Sequence, residues 1–227
     1  MMTDYENLFN TVKLNVIQND EKLCTATSFF YKFNTAIGAR LVLITNRHVI
    51  ENIREITFFI HQSFEAPGKI RKITLGGSDI RKIIKIHNEC DLCAIDINDY
   101  LNDDRYYSLS KFDIVDESEL KYEKVMQEIF IVGYPIGIED ELNKLPIFTT
   151  GITATNLLID YNGKPEFLLN AFALPGSSGS PVFTQINNTK KLVGIISSGT
   201  VYSDGKPISN LCLAIKAKEI LELEKYF

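Results

Sequence analysis

Short apolar, β-branched and aromatic runs of four to eight residues recur along this chain, each bounded by Gly, Asn, Asp or Pro. That pattern marks strands joined by tight turns. In the first half it predicts strands over Thr25–Tyr31, Leu41–Thr45, Ile56–His61, Ile83–His87 and Leu92–Ile97. In the second half it predicts Glu128–Val132, Ile147–Ala154, Glu166–Ala171, Pro181–Thr184, Leu192–Ser197 and Leu211–Ile215. A charged, irregular stretch over 102–124 separates the two sets and reads as a connection. After the last strand, Ala217, Ile220 and Leu221 stand at helical spacing between Glu and Lys, which predicts a terminal helix within Lys216–Phe227 packed on the second unit. The expected organisation is all-β with a C-terminal helix: a first unit over 1–101, the connection over 102–124, and a second unit over 125–227.

Composition narrows the class. With 227 residues, 45 % of them hydrophobic, the chain can bury a sizeable core as one compact body. A net charge of −5 and a pI near 5.3 argue against nucleic acid or an acidic membrane surface as partner. Lys69, Arg71 and Lys72, and Arg81 with Lys82, alternate with apolar residues and read as wet strand faces. The start, Met1-Met2-Thr3-Asp4-Tyr5-Glu6, lacks the basic and apolar character of a signal peptide, and no apolar run approaches the ~18 residues that span a bilayer. Cys24, Cys90, Cys93 and Cys212 lie in apolar runs and read as reduced, buried thiols. These features give the expectation of a cytoplasmic protein.

Chemistry gathers in three places. Leu174-Pro175-Gly176-Ser177-Ser178-Gly179-Ser180-Pro181-Val182 sets a serine among glycines just before a strand. A serine hydroxyl needs an adjacent base, and the oxyanion it creates needs preorganised N–H donors, which glycines can turn toward one point. Leu41–Thr45 ends in a polar turn that delivers His48. Cys90-Asp91-Leu92-Cys93-Ala94-Ile95 opens an apolar strand with Asp91. Asp96 and Asp99 compete with it, but Asp96 falls on the opposite strand face and Asp99 in a polar turn. His61 and His87 read as an outward strand end and a polar turn. His87, Cys90 and Cys93 invite a metal reading, but no fourth ligand is evident, and no metal or other cofactor is expected.

These blocks resemble trypsin/chymotrypsin-like serine peptidases, of the bacterial cytoplasmic or HtrA-like (Deg-type) kind without a PDZ domain. His48, Asp91 and Ser178 follow the family's chain order. Val193-Gly194-Ile195-Ile196-Ser197-Ser198-Gly199 resembles its substrate-pairing strand, and Gly133-Tyr134-Pro135 its Gly-Tyr-Pro turn. The resemblance implies two six-stranded β-barrels with the active site in the cleft between them. It implies a catalytic His48–Asp91–Ser178 triad, with the N–H groups of Gly176 and Ser178 as oxyanion hole. Ser197, Ser198 and Gly199 would bind substrate, with Phe172 at the base of the primary specificity pocket and Cys212 as its opposing wall. Neither is acidic, so an apolar P1 residue of small or medium size is expected. The implied activity is serine endopeptidase action on a peptide or protein through an acyl-enzyme on Ser178. The competing reading is a catalytically silent peptide-binding or signalling module. Secreted zymogens of the family place an Asp before the serine to bind a freed N-terminal amine. Ser177 stands there instead, so the loop is either constitutively formed or ordered by an activating partner or substrate.

Overall fold

The computed structural model describes residues 4–36, 38–62, 68–77, 80–101, 106–121, 125–201 and 207–227, so both ends of the expected connection lie outside the described residues. Seven antiparallel strands form the first sheet: β1 (Thr11–Gln18), β2 (Leu23–Thr35), β3 (Gly38–Thr45), β4 (Ile53–His61), β5 (Ile70–Gly76), β6 (Ile84–Ile86) and β7 (Cys93–Asp96). Their spatial order is β5-β4-β1-β2-β3-β7-β6. Six more close into a barrel: β8 (Glu128–Gly133), β9 (Ile147–Thr153), β10 (Glu166–Asn170), β11 (Pro181–Ile186), β12 (Thr189–Val201) and β13 (Pro207–Lys216). The architecture is the two-barrel chymotrypsin-like fold, with one difference from expectation. The first sheet has seven strands rather than six, and among the described residues β5 and β6 remain its edges instead of pairing to close a barrel.

Side-chain alternation explains how the two bodies stack. On β2 and β3, Phe30, Leu41 and Leu43 point into the curl of the first sheet, while Phe29, Tyr31, Phe33, Val42 and Ile44 point outward. That outer face is covered by the barrel through Val132, Phe183, Leu192, Ile195 and Ile215. Strand β7 obeys the same rule, with Cys93 and Ile95 inside and Leu92 and Ala94 at the seam. Both faces are dry over residues 29–31, 41–44 and 92–95, and these segments are continuous apolar runs. The barrel encloses its own core, which includes Ile129, Phe167, Leu169, Val182 and Cys212.

Two features depart from the sequence pattern. Strand β1 alternates Val12, Leu14 and Val16 inward, yet was not among the predicted strands. The terminal helix is shorter than expected: β13 runs on through Lys216, a 3-10 turn follows over Ala217–Glu219, and the α-helix covers only Ile220–Glu224. Ile220 and Leu223 are buried in the seam between sheet and barrel rather than on the barrel alone. The Phe227 ring reaches across to Phe33 of β2, 5.3 Å between centroids.

Candidate active site

His48 sits in a 3-10 turn, Arg47–Ile50, immediately after β3. Asp91 lies in the turn between β6 and β7, two residues before β7 begins rather than at its first position. The turn is brought to His48 because β3 and β7 pair, with Thr45 opposite Cys93. One carboxylate oxygen of Asp91 accepts the His48 backbone N–H at 2.9 Å; the other lies 2.7 Å from the His48 Nδ1 and accepts the Ser197 hydroxyl at 2.9 Å. Asn46 Nδ2 holds the Asp91 carbonyl at 2.9 Å. Burial would raise the Asp91 carboxyl, but hydrogen bonds from the His48 side chain and backbone, the His48 charge and the Ser197 hydroxyl outweigh it and keep the group below its ordinary 3.8.

Ser178 completes the constellation from the barrel. Its Oγ lies 3.1 Å from His48 Nε2 and 3.2 Å from the Ser197 carbonyl. With Nδ1–H directed to Asp91, neutral His48 offers a lone pair at Nε2, so it can accept the serine proton. The single hydroxyl proton therefore has two acceptors, and only donation to Nε2 prepares the oxygen for attack.

The serine loop is fixed from outside itself. Thr27 of β2 donates its N–H to the Ser178 carbonyl and its hydroxyl to the Gly176 carbonyl, both at 2.8 Å, while its own carbonyl accepts from Thr45 Oγ1. Gly176 (φ 96°) and Gly179 (φ 87°) occupy the left-handed region, and a Cβ there would strike the Tyr134 and Thr27 carbonyls, respectively. The Pro175 carbonyl accepts the Ile136 N–H at 2.6 Å. Carbonyl and N–H of a trans peptide point in opposite directions, so this bond turns the Gly176 N–H away from Ile136. The N–H groups of Ser177, Gly179 and Ser180 donate within the protein, whereas those of Gly176 and Ser178 have no acceptor among the described residues.

Ile136 itself has φ 51°, a strained conformation for a β-branched residue. The loop that carries it is tied to β1, where Lys13 reaches the Gly137 carbonyl and the Glu139 carboxylate, the latter also paired with Lys144.

A trypsin-like peptidase domain matches residues 26–195, which contain all three residues of the constellation. The chain belongs to the trypsin-like peptidase family. Among solved structures it is similar to the HtrA-type protease AlgW with tripeptide, at 18 % identity and a TM-score of 0.59, over 98 % of this chain and 63 % of that one. It also resembles a serine endoprotease from Yersinia pestis, at 12 % identity and a TM-score of 0.61, covering 100 % of this chain and 67 % of that one. A third similar structure is the Rv3671c protease from M. tuberculosis in its active form, at 14 % identity and a TM-score of 0.57, covering 96 % and 80 %. At these identities the likeness is one of fold. The chain spans less than two thirds of the AlgW chain's length.

In this trypsin-like peptidase a cavity of about 300 Å³ opens beside Ser178 and His48. Ala173, Leu174, Pro175, Ile196, Ser197, Ser198 and Gly199 contribute to its lining. Two larger cavities, about 510 Å³ each, lie elsewhere and contain no nucleophile paired with a base. The structure places Ser197, Ser198 and Gly199 of β12 in the lining of this cavity. It does not bring Phe172 or Cys212 there. Phe172 follows the end of β10 and stands 64 % exposed, while Cys212 is fully buried in the barrel core opposite Gly199 and Leu169. The interior face of β13 belongs to the core, and the short turn after β10 leaves Ala173, not Phe172, beside the serine.

Other residues are also placed differently from the sequence reading. Asp96 pairs with Arg40 at 3.6 Å, away from the site. His61 is not outward: it is 7 % exposed, edge-on to the Phe9 ring at 4.9 Å, and burial lowers its basicity. His87 is 5 % exposed and lies behind Asp91 with Cys90 and Glu219. Thr27, Thr45 and Ile136 are the positioning groups that the sequence reading missed. Adjacent hydroxyl residues inside an apolar strand, Thr25-Ala26-Thr27-Ser28, were the available signal, since a buried hydroxyl must have a partner.

No helix among the described residues is long and apolar enough to cross a membrane.

Proposed function

We propose that the chain is a serine endopeptidase that cleaves peptide bonds through an acyl-enzyme on Ser178. The observation that carries this reading is the continuous relay from Ser178 Oγ to His48 Nε2 and from His48 Nδ1 to Asp91, at 3.1 and 2.7 Å. His48 takes the hydroxyl proton as Oγ attacks the scissile carbonyl carbon. Asp91 fixes the tautomer and stabilises the imidazolium that forms. The N–H groups of Gly176 and Ser178 receive the oxyanion. Collapse breaks the C–N bond as His48 returns the proton to the leaving amine, leaving an ester on Ser178. Water, deprotonated by the same imidazole, then releases the acid and restores Oγ–H.

The substrate is a peptide or protein whose backbone lies along Ser197–Gly199. Its P1 side chain is apolar and of small or medium size. Ala173, Ile196, Ser198 and Gly199 offer no carboxylate, so a Lys or Arg side chain would be desolvated without a counter-ion. The hydrogen bonds from Thr27 and Ile136 to the serine loop support a loop that is active without an activating partner.

A fluorophosphonate probe tests the reading. Labelling of the wild-type chain that disappears in Ser178→Ala supports it. Absence of labelling, together with peptide binding, would favour the catalytically silent module.

A further inference from the structure

The turn that presents Asp91 is shaped from within by a histidine. Strands β6 and β7 pair as far as Ile86 opposite Cys93, and the six residues between them make the turn. Its backbone is closed by the His87 N–H on the Leu92 carbonyl at 2.9 Å and by the Leu92 N–H on the Cys90 carbonyl at 2.8 Å. The His87 ring folds into the turn, where Nδ1 accepts the N–H of Glu89 at 3.1 Å and that of Cys90 at 2.9 Å. Cys90 is the residue directly before Asp91. The side chain is 6 % exposed, so water does not substitute for these bonds.

Two N–H donors aimed at Nδ1 require a lone pair there, which puts the proton of the neutral ring on Nε2. Nε2 is buried without a hydrogen-bond partner among the described residues, 3.4 Å from Oε2 of Glu219 in the 3-10 turn after β13. The Cys90 thiol donates to the same carboxylate oxygen at 3.7 Å. Burial first, then Glu219, pushes that thiol up to about 12, so it remains a donor.

Although the ligand atoms of His87, Cys90 and Glu219 lie within 4.8 Å of one another, the tautomer argues against a metal there. An Nε2 that carries its proton has no lone pair for a cation, and the thiol would have to ionise.

We propose that His87 is a positioning residue for the triad: its Nδ1 fixes the turn that aims the Asp91 carboxylate, and Glu219 backs the ring, tying the C-terminal segment to the site. The proposal rests on the peptidase reading above. The Asp91 carboxylate must meet three donors at once: the His48 N–H, the His48 Nδ1–H and the Ser197 hydroxyl. A turn free to rearrange would satisfy fewer of them.

Two polar variants separate the two edges of the ring. In His87→Asn, Oδ1 takes the place of Nδ1 as acceptor and the Nε2 edge is lost. In His87→Gln, the amide reaches toward Glu219 and no acceptor remains in the turn. The expected result for hydrolysis of an apolar-P1 ester is a kcat within about threefold of wild type for His87→Asn. For His87→Gln the expected fall is about 10- to 100-fold in kcat with KM little changed. Placed in Asp91→Asn, His87→Gln should cost nothing further, because both act through one carboxylate. Equal kcat values for the two variants, or losses that multiply in the Asp91→Asn background, would overturn the proposal.

Amide exchange in the wild-type chain gives a reading that needs no variant. The Glu89 and Cys90 N–H groups should be protected although Glu89 is exposed, and rapid exchange at both would equally overturn it. Retention of hydrolysis by Ser178→Ala would instead remove the peptidase reading itself.

Discussion

The proposed hydrolytic centre and the cavity beside it lie within one site, yet they are built differently. His48, Asp91 and Ser178 come from both halves of the molecule and are held by bonds to backbone atoms: Thr27 on the serine loop, Asn46 on the Asp91 carbonyl, and the His48 N–H on the carboxylate. The cavity is lined by residues 196–199 of β12 and by Ala173, Leu174, Pro175 and Ser177 of the segment before Ser178. On the proposed reading, chemistry rests on a cross-braced frame, whereas selection rests on which residues a turn directs inward. A change in the first region should alter turnover for every substrate. A change in the second should alter the ratio between substrates.

The largest effects belong to the frame's reacting groups. Ser178→Ala and His48→Ala should each lower kcat by about 10⁶-fold, since nucleophile and base act as one unit. Asp91→Asn should cost about 10⁴-fold by favouring the wrong imidazole tautomer. All three should leave the rank order of P1 residues unchanged wherever residual rates can be measured with an ester panel. A shifted rank order would mean that frame and cavity are not separable.

Next comes the brace itself. Thr27→Val keeps the backbone bond to Ser178 but removes the hydroxyl that donates to the Gly176 carbonyl and accepts the Tyr134 N–H. Two buried backbone groups lose partners, each worth roughly 1–3 kcal/mol. Turnover should fall about 10- to 100-fold for all P1 residues alike, through the misaligned serine loop. Thr27→Ser, which retains the hydroxyl, should restore most of it. If Thr27→Val is as active as wild type, the Thr27 hydroxyl does not hold the loop.

This difference between frame and cavity also governs what the sequence disclosed. The grouping of His48, Asp91 and Ser178 was legible because the proposed hydrolysis restricts residue types, and because the runs ending at Thr45 and starting near Leu92 are buried on both faces and stand out as strands. Gly176 and Gly179 were legible for the same reason, since no side chain fits at their φ values. Phe172 and Cys212 were misplaced because their assignment depended on counting residues through turns of unknown length. Ala173 enters the cavity instead, and Cys212 falls on the core face of β13. His87 was misread because a polar residue in a polar-looking turn gives no sign that its ring folds back onto the turn's own N–H groups. The alternation Val12, Leu14, Val16 was present in the sequence, but the polar Lys13 and Asn15 between them interrupt the apolar run.

The cavity gives smaller and selective effects. Among the described residues a Cβ at Gly199 meets only the Ala173 carbonyl, at an ordinary 3.5 Å, so Gly199→Val should fold and fill the opening. It should reduce kcat/KM for an aromatic P1 residue by about 10-fold or more while leaving alanine at P1 little changed. Phe172→Ala, at a largely exposed position, should stay within about twofold for every P1 residue. A strong change in P1 preference from Phe172→Ala would return that ring to the pocket base.

The smallest expected effect follows from charge, which also separates the two regions. The cavity lining carries no carboxylate, so acid should act on the frame through Asp91. Burial raises this carboxyl, and the His48 and Ser197 hydrogen bonds together with the His48 charge lower it by more, leaving a net depression below 3.8. A group depressed in the folded state binds fewer protons there than in the unfolded chain, so it stabilises the fold above its unfolded value. That contribution drains away as pH falls through the lower folded value. The Asn side chain of Asp91→Asn does not titrate. The melting temperature of wild type minus that of Asp91→Asn should therefore be larger at pH 6 than at pH 3. Because burial and hydrogen bonding oppose each other at this carboxyl, the change should be modest. A difference that is constant or grows on acidification would mean that the three hydrogen bonds do not outweigh the cost of burial, and that the Asp91 carboxylate is held less firmly than its distances to His48 and Ser197 imply.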